Sequence, residues 1–196
     1  AKSAANALQE SLGPTVDSLE GLLLPETYTY RAYSTVSGIL KNAYESMQKT
    51  LADVWSNRSE ACPVESPYEL LILASIIEKE TGVSGERSLV ASVFANRLAI
   101  GMRLQSDPTT IYGIEDFDGN LTRAHLREKT AYNTYRINGL PPTPIAMPGK
   151  ASLEAAANPD DSPFYYFVAD DTGGHVFSET LEEHNKAVRR YQLNKE

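Results

Sequence analysis

Apolar residues first recur at helical spacing from Val36. Val36, Ile39, Leu40, Ala43, Met47, Leu51 and Val54 share one face and predict a helix that ends near Asn57. The residues before it are mixed, with Leu22-Leu23-Leu24-Pro25 as an apolar stop, and Asn57 to Ser66 reads as a polar loop. The next helix has the clearest boundaries. Ser66-Pro67-Tyr68-Glu69 is a capping box with proline at the first helical position, and Gly82 is the expected stop, so the helix should run from about Pro67 to about Thr81. Another follows from about Glu86 to Ile100, with Leu89, Val90, Val93, Phe94 and Leu98 inward and Gly101 as its stop.

From Met102 to Pro148 the periodicity gives way to Gly, Pro, Asn, Asp and Thr. This predicts a long loop-dominated region with short helices near Thr109–Tyr112 and Arg123–Leu126; long loops in compact domains tend to carry function. Ser152 to Ala157 reads as a short helix. Tyr165-Tyr166-Phe167-Val168 is a strand signal, Gly173-Gly174 turns it, and His175-Val176-Phe177 returns it as a hairpin. Thr180-Leu181-Glu182-Glu183 is a second capping box, opening a final helix to about Leu193. The predicted class is α+β, helix-dominant, with a loop-rich region and a C-terminal β-hairpin.

Length and composition narrow the picture. The 196 residues favour one domain over residues 1–196, and 41% hydrophobic with 22% charged residues is an ordinary globular mix. A net charge of −8 argues against nucleic acid and anionic lipid as partners, which call for clustered Lys and Arg, and leaves a neutral or zwitterionic glycan open. The lone cysteine, Cys62, cannot build a disulfide framework and reads as a small loop residue. No apolar stretch approaches the ~20 residues that cross a bilayer. The opening Ala1-Lys2-Ser3 is not a signal peptide, and the missing initiator Met reads as an excised fragment or mature form.

One acid breaks the pattern. On a helical wheel with Leu73 at zero, Leu70, Ala74, Ile76 and Ile77 centre an apolar face near about 20°, and Glu80 falls at about 340°, close to its middle. Glu78 falls on the flank at about 140°, while Lys79 and Ser75 point away. Burial and the negative end of the helix dipole both disfavour a carboxylate, so Glu80 is expected to hold its proton near neutral pH, as a glycosidase acid must. The pattern alone more readily gives a last-turn glutamate that reaches solvent or pairs with Arg87 or Arg97. His125, His175 and His184 make no i, i+4 pair with a third ligand, and no Gly-x-x-x-x-Gly-Lys run occurs, so neither a metal nor a cofactor is expected.

At these residues the chain resembles a known family. The run Leu71-Ile72-Leu73-Ala74-Ser75-Ile76-Ile77-Glu78-Lys79-Glu80-Thr81 is similar to the catalytic signature of the YceG-like (MltG) endolytic murein transglycosylases. So are Val90-Ala91-Ser92-Val93-Phe94-Ala95-Asn96-Arg97-Leu98, Gly101-Met102-Arg103-Leu104-Gln105-Ser106-Asp107-Pro108-Thr109, and Ala131-Tyr132-Asn133-Thr134-Tyr135 with Gly139-Leu140-Pro141-Pro142. Tyr166-Phe167-Val168-Ala169-Asp170, Gly173-Gly174-His175 and His184-Asn185-Lys186 close the match, in order.

The resemblance implies a lysozyme-like catalytic core acting on peptidoglycan, with Glu80 as the one catalytic acid and no metal or cofactor. It implies a β-1,4 cut between N-acetylmuramic acid and N-acetylglucosamine within glycan strands, leaving 1,6-anhydro ends. Peptidoglycan strands are then the partner, with synthases of the elongation and division machinery beside them. Placement on the periplasmic face of the inner membrane would come through an N-terminal anchor absent from this chain, as is the family's LysM-like module. The motifs suggest Gln105, Ser106, Asp107, Asn133, Thr134 and Tyr135 as substrate-binding residues; Asp107 before Pro108 also reads as turn chemistry, and Asn133 and Tyr135 as loop packing. Three other readings stay open. One is a glycan-binding module. Another is a hydrolase with Asp107 or Glu78 as second carboxylate. The last is a pyridoxal-phosphate lyase, which would need a buried lysine where Lys79 points outward.

Overall fold

A computed structural model describes residues 2–12, 18–83 and 85–193. In chain order they form α1 (Lys2–Leu12), α2 (Val36–Ser56), α3 (Pro67–Glu80), α4 (Arg87–Ala99), α5 (Asp107–Tyr112), α6 (Arg123–Arg127), α7 (Lys150–Ala157), β1 (Tyr166–Ala169), β2 (His175–Ser178) and α8 (Leu181–Val188). The strands pair antiparallel, with Phe167 opposite Phe177 and Ala169 opposite His175. The class is α+β with helix dominant, as the pattern predicts.

Local signals set most boundaries. Ser66 accepts from Glu69 N–H while the Glu69 side chain reaches back, and Thr180 and Glu183 repeat the arrangement ahead of α8. Gly101, at φ 69°, stops α4. The stop of α3 differs from expectation. Thr81 turns extended (φ −141°, ψ 133°), its N–H still bonds Ile77 O, and Gly82 adopts no left-handed conformation. The final helix also differs: its α-helical part ends at Val188 and a π turn carries on over Arg189–Leu193.

The core centres on α3, against which α7, α2 and α4 pack. Every residue from Leu70 to Ile77 is buried. A single apolar stripe is therefore the wrong picture for α3, and Ser75, expected to face outward, is wholly enclosed. Its hydroxyl is satisfied there, donating to Ile72 O at 2.7 Å and accepting from Ile145 N at 3.0 Å. Lys79 is exposed, as the wheel predicts. A smaller cluster of Leu8, Leu23 and Ala43 joins α1 to α2; the mixed N-terminal pattern gave no sign of α1.

Candidate active site

The last residue of α3 opens into a cleft of about 390 Å³ between the loop ahead of α5 and the hairpin. Glu80, Arg97, Gln105, Asp107, Tyr135, Tyr166, Phe167, His175, Leu181 and His184 are among the residues that line it. A helix buried all round over Leu70–Ile77 thus delivers its terminal carboxylate to a wall of the cleft.

Ser106 fixes that carboxylate. It stands at the N-cap of α5, where a serine hydroxyl ordinarily accepts from the helix's own N–H groups, yet it makes no such cap. It donates instead to Glu80 Oε1 at 2.5 Å. Its backbone is held from both ends. Ser106 N–H donates to Thr134 Oγ1 at 2.9 Å, and Ser106 O accepts from Thr109 Oγ1 at 2.7 Å. The two threonine hydroxyls meet at 2.7 Å. Beside them Gln105 sits in the left-handed region at φ 52°, its N–H bonded to Thr134 O.

Burial pushes the Glu80 pKa up to about 7, and the nearby Asp107 charge adds to this; the Ser106 hydrogen bond, His175 and Arg97 oppose it. Near neutral pH such a group can both give and take a proton. Tyr135 donates to Asp107 Oδ1 at 2.7 Å, and burial together with that bond raises its phenol pKa. Arg97 is buried. Its Nε–H donates to Tyr165 O at 2.7 Å, its Nη1 to Leu104 O, and its guanidinium lies 5.5 Å from the Tyr166 ring centre.

The residues singled out from sequence divide into three groups. Glu80, Gln105, Asp107 and Tyr135 line the cleft. Ser106 is buried and reaches it through Glu80. Asn133 and Thr134, expected to meet substrate, are fully enclosed. Asn133 Nδ2 donates to the carbonyls of His125, Leu126 and Glu128, and its Oδ1 accepts from Thr110 Oγ1 and Tyr135 N–H. Polar groups so completely used brace the loop.

Glu78, the other acid of the motif, is turned away from the cleft. Its Oε2 accepts from Gly149 N at 3.0 Å and Ser152 Oγ at 2.6 Å, at the start of α7. His175 and Tyr166 also line the cleft, although the sequence reading gave them no role. Their signal was present in the Tyr166-Phe167-Val168 and Gly173-Gly174-His175 runs.

The sequence model of the YceG-like family matches residues 1–190. A Bacillus subtilis protein named endolytic murein transglycosylase is 37% identical over 177 residues, which cover 90% of this chain and 49% of the relative. One of the same name from Streptococcus pneumoniae is 34% identical over 200 residues, covering 96% of this chain and 36% of the relative. The chain thus spans about half the length of the first of these and about a third of the second. The crystal structure of a yceG-like protein from Listeria monocytogenes superposes with a TM-score of 0.76 at 36% identity, over 94% of this chain and 63% of that one.

Proposed function

The chain belongs to the YceG-like family, and on that footing we propose that it is the catalytic domain of an endolytic peptidoglycan transglycosylase with Glu80 as its acid and base. The observation that carries the reading is one carboxylate. It is desolvated at the end of a buried helix, held by Ser106 on one oxygen, and set in a cleft with its pKa near 7.

Protonated Glu80 donates to the β-1,4 glycosidic oxygen between N-acetylmuramic acid and N-acetylglucosamine, and the bond to the anomeric carbon breaks. The C6 hydroxyl oxygen of the same muramic ring attacks that carbon. The Glu80 carboxylate then accepts the hydroxyl proton, which returns the enzyme to its starting state. The products are a 1,6-anhydro-muramyl end and a free N-acetylglucosamine end, and no water is consumed. Because the nucleophile belongs to the substrate, the attack gains from proximity and needs no second carboxylate. Asp107, Gln105 and Tyr135 contact the sugars, with Asp107 and Tyr135 locked as a pair. Cleavage within strands would terminate or trim new glycan beside peptidoglycan synthases, on the periplasmic face of the inner membrane. Among the described residues no helix is long and apolar enough to cross a membrane.

Asp107 lines the same cleft as Glu80, and this favours a hydrolytic muramidase as the second reading. Digestion of purified peptidoglycan in H₂¹⁸O separates the two. Transglycosylation leaves anhydro-muramyl ends without label; hydrolysis leaves reducing muramyl ends carrying one ¹⁸O.

A further inference from the structure

His175 lines the cleft, and its ring is held with unusual completeness. Glu86 stands at the N-cap of α4 but makes no side-chain cap there. Its carboxylate crosses to the hairpin instead. Oε1 accepts from the His175 backbone N–H at 2.9 Å, and Oε2 meets Nδ1 at 2.7 Å. The pair is largely enclosed, the side chains being 12% exposed for His175 and 20% for Glu86. Phe167 packs edge-on against the imidazole at 5.4 Å between ring centres.

The chain has made room for this contact. A Cβ at Gly174 would lie 2.7 Å from Glu86 Oε1, inside the closest approach that carbon and oxygen tolerate. Gly174 has no left-handed backbone that would otherwise demand glycine.

A carboxylate that accepts on both oxygens assigns the proton to Nδ1. In the neutral imidazole Nε2 is then a lone-pair acceptor. With the Nδ1 edge taken by Glu86, the Nε2 edge is what remains for the cleft. A sugar offers hydroxyl donors in plenty, and an acceptor whose tautomer and orientation are fixed in advance binds one without an ordering penalty.

We propose that His175 is a substrate-binding residue whose Nε2 accepts a hydrogen bond from a sugar hydroxyl, with Glu86 as the positioning residue that holds its tautomer and Gly174 as the space that lets Glu86 reach it. The inference rests on the glycan reading above, though not on Glu80 being the acid.

The test uses this chain, ¹⁵N-labelled at histidine, titrated with the tetramer of N-acetylglucosamine. Binding should shift the His175 Nε2 resonance in the direction of hydrogen-bond acceptance. Glu86→Gln keeps an acceptor for the backbone N–H but turns an amide donor toward Nδ1, which moves the ring proton to Nε2. With melting temperature unchanged, the spectrum should report that flipped tautomer and the Kd should rise by about tenfold to a hundredfold. Gly174→Ala displaces the Glu86 carboxylate by contact alone and should weaken binding in the same way. Equal affinity in a Glu86→Gln protein whose tautomer has flipped would overturn the proposal, and so would saturating sugar that leaves Nε2 unmoved. Glu80→Gln separates the two claims. If it still cleaves, the acid assignment falls; if it binds tetramer with the same Nε2 shift, the His175 inference stands.

Discussion

Glu78 and Glu80 flank Lys79 at the end of α3 and hold different partners. Glu78 Oε2 takes Gly149 N–H and Ser152 Oγ at the start of α7, whereas Glu80 Oε1 takes Ser106 Oγ at the cleft wall. One is tied to a helix N-terminus, where a negative charge is favoured; the other sits at a helix C-terminus, where it is not. Removing them should have separable effects. Glu78→Ala should lower stability by roughly 1–3 kcal/mol, because it strips acceptors from a half-buried helix start. It should leave glycan cleavage close to wild type. Chemical denaturation and product analysis on the same preparation check both halves.

The raised pKa of Glu80 has a consequence for stability with a definite sign. Folding lifts it from 4.5 to about 7, chiefly through desolvation. The native state therefore holds the proton more tightly than the unfolded chain, and the ionised acid opposes folding. That opposition is absent below pH 4.5, grows between 4.5 and about 7, and is complete above about 7. Glu80→Gln abolishes it. The variant should match wild type near pH 4 and exceed it at pH 8 by roughly 1–3 kcal/mol. Denaturant midpoints at the two pH values are the measurement.

Ser106 holds the Glu80 pKa below the level that burial alone would set. In Ser106→Ala the acid should stay protonated to higher pH. The alkaline fall of kcat/KM, which reports loss of the proton, should then move upward. Turnover should also drop about tenfold, because Oε1 loses the bond that orients it. A pH–rate profile of both proteins separates these effects.

Asn133 makes a different case, because its contribution is to the fold. Its amide donates to three carbonyls, and no carboxylate can do so. Asn133→Asp keeps the shape, yet it should destabilise by roughly 2–4 kcal/mol by burying acceptor against acceptor. The Tm of the variant measures it, with loss of cleavage following from loosening of the segment around Tyr135, whose N–H the Asn133 side chain also holds.

What was legible in the chain follows from range. The capping boxes at Ser66 and Thr180 and the Gly173-Gly174 hairpin are local, and each appears where its residues predict. Helix α1 was not legible: its inward face offers only Leu8, which is buried, and Leu12, which is partly so, too few large apolar residues to mark a helical period. Ser75 was misplaced because a wheel presumes one buried face, and α3 is covered on all sides over Leu70–Ile77 by elements that only tertiary packing brings in. Asn133 and Thr134 look, as letters, like Gln105 and Asp107. Whether a polar residue meets substrate or braces a loop depends on carbonyls elsewhere in the fold. The Glu86–His175 pair joins residues 89 positions apart and has no spacing to betray it.

The central claim is that Glu80 alone supplies acid and base. Its most direct measure is the amount of 1,6-anhydro-muramyl ends, by mass spectrometry, after digestion of peptidoglycan with wild type, Glu78→Gln and Glu80→Gln. The account predicts anhydro ends from wild type and Glu78→Gln and none from a folded Glu80→Gln. Undiminished anhydro ends from Glu80→Gln would contradict it.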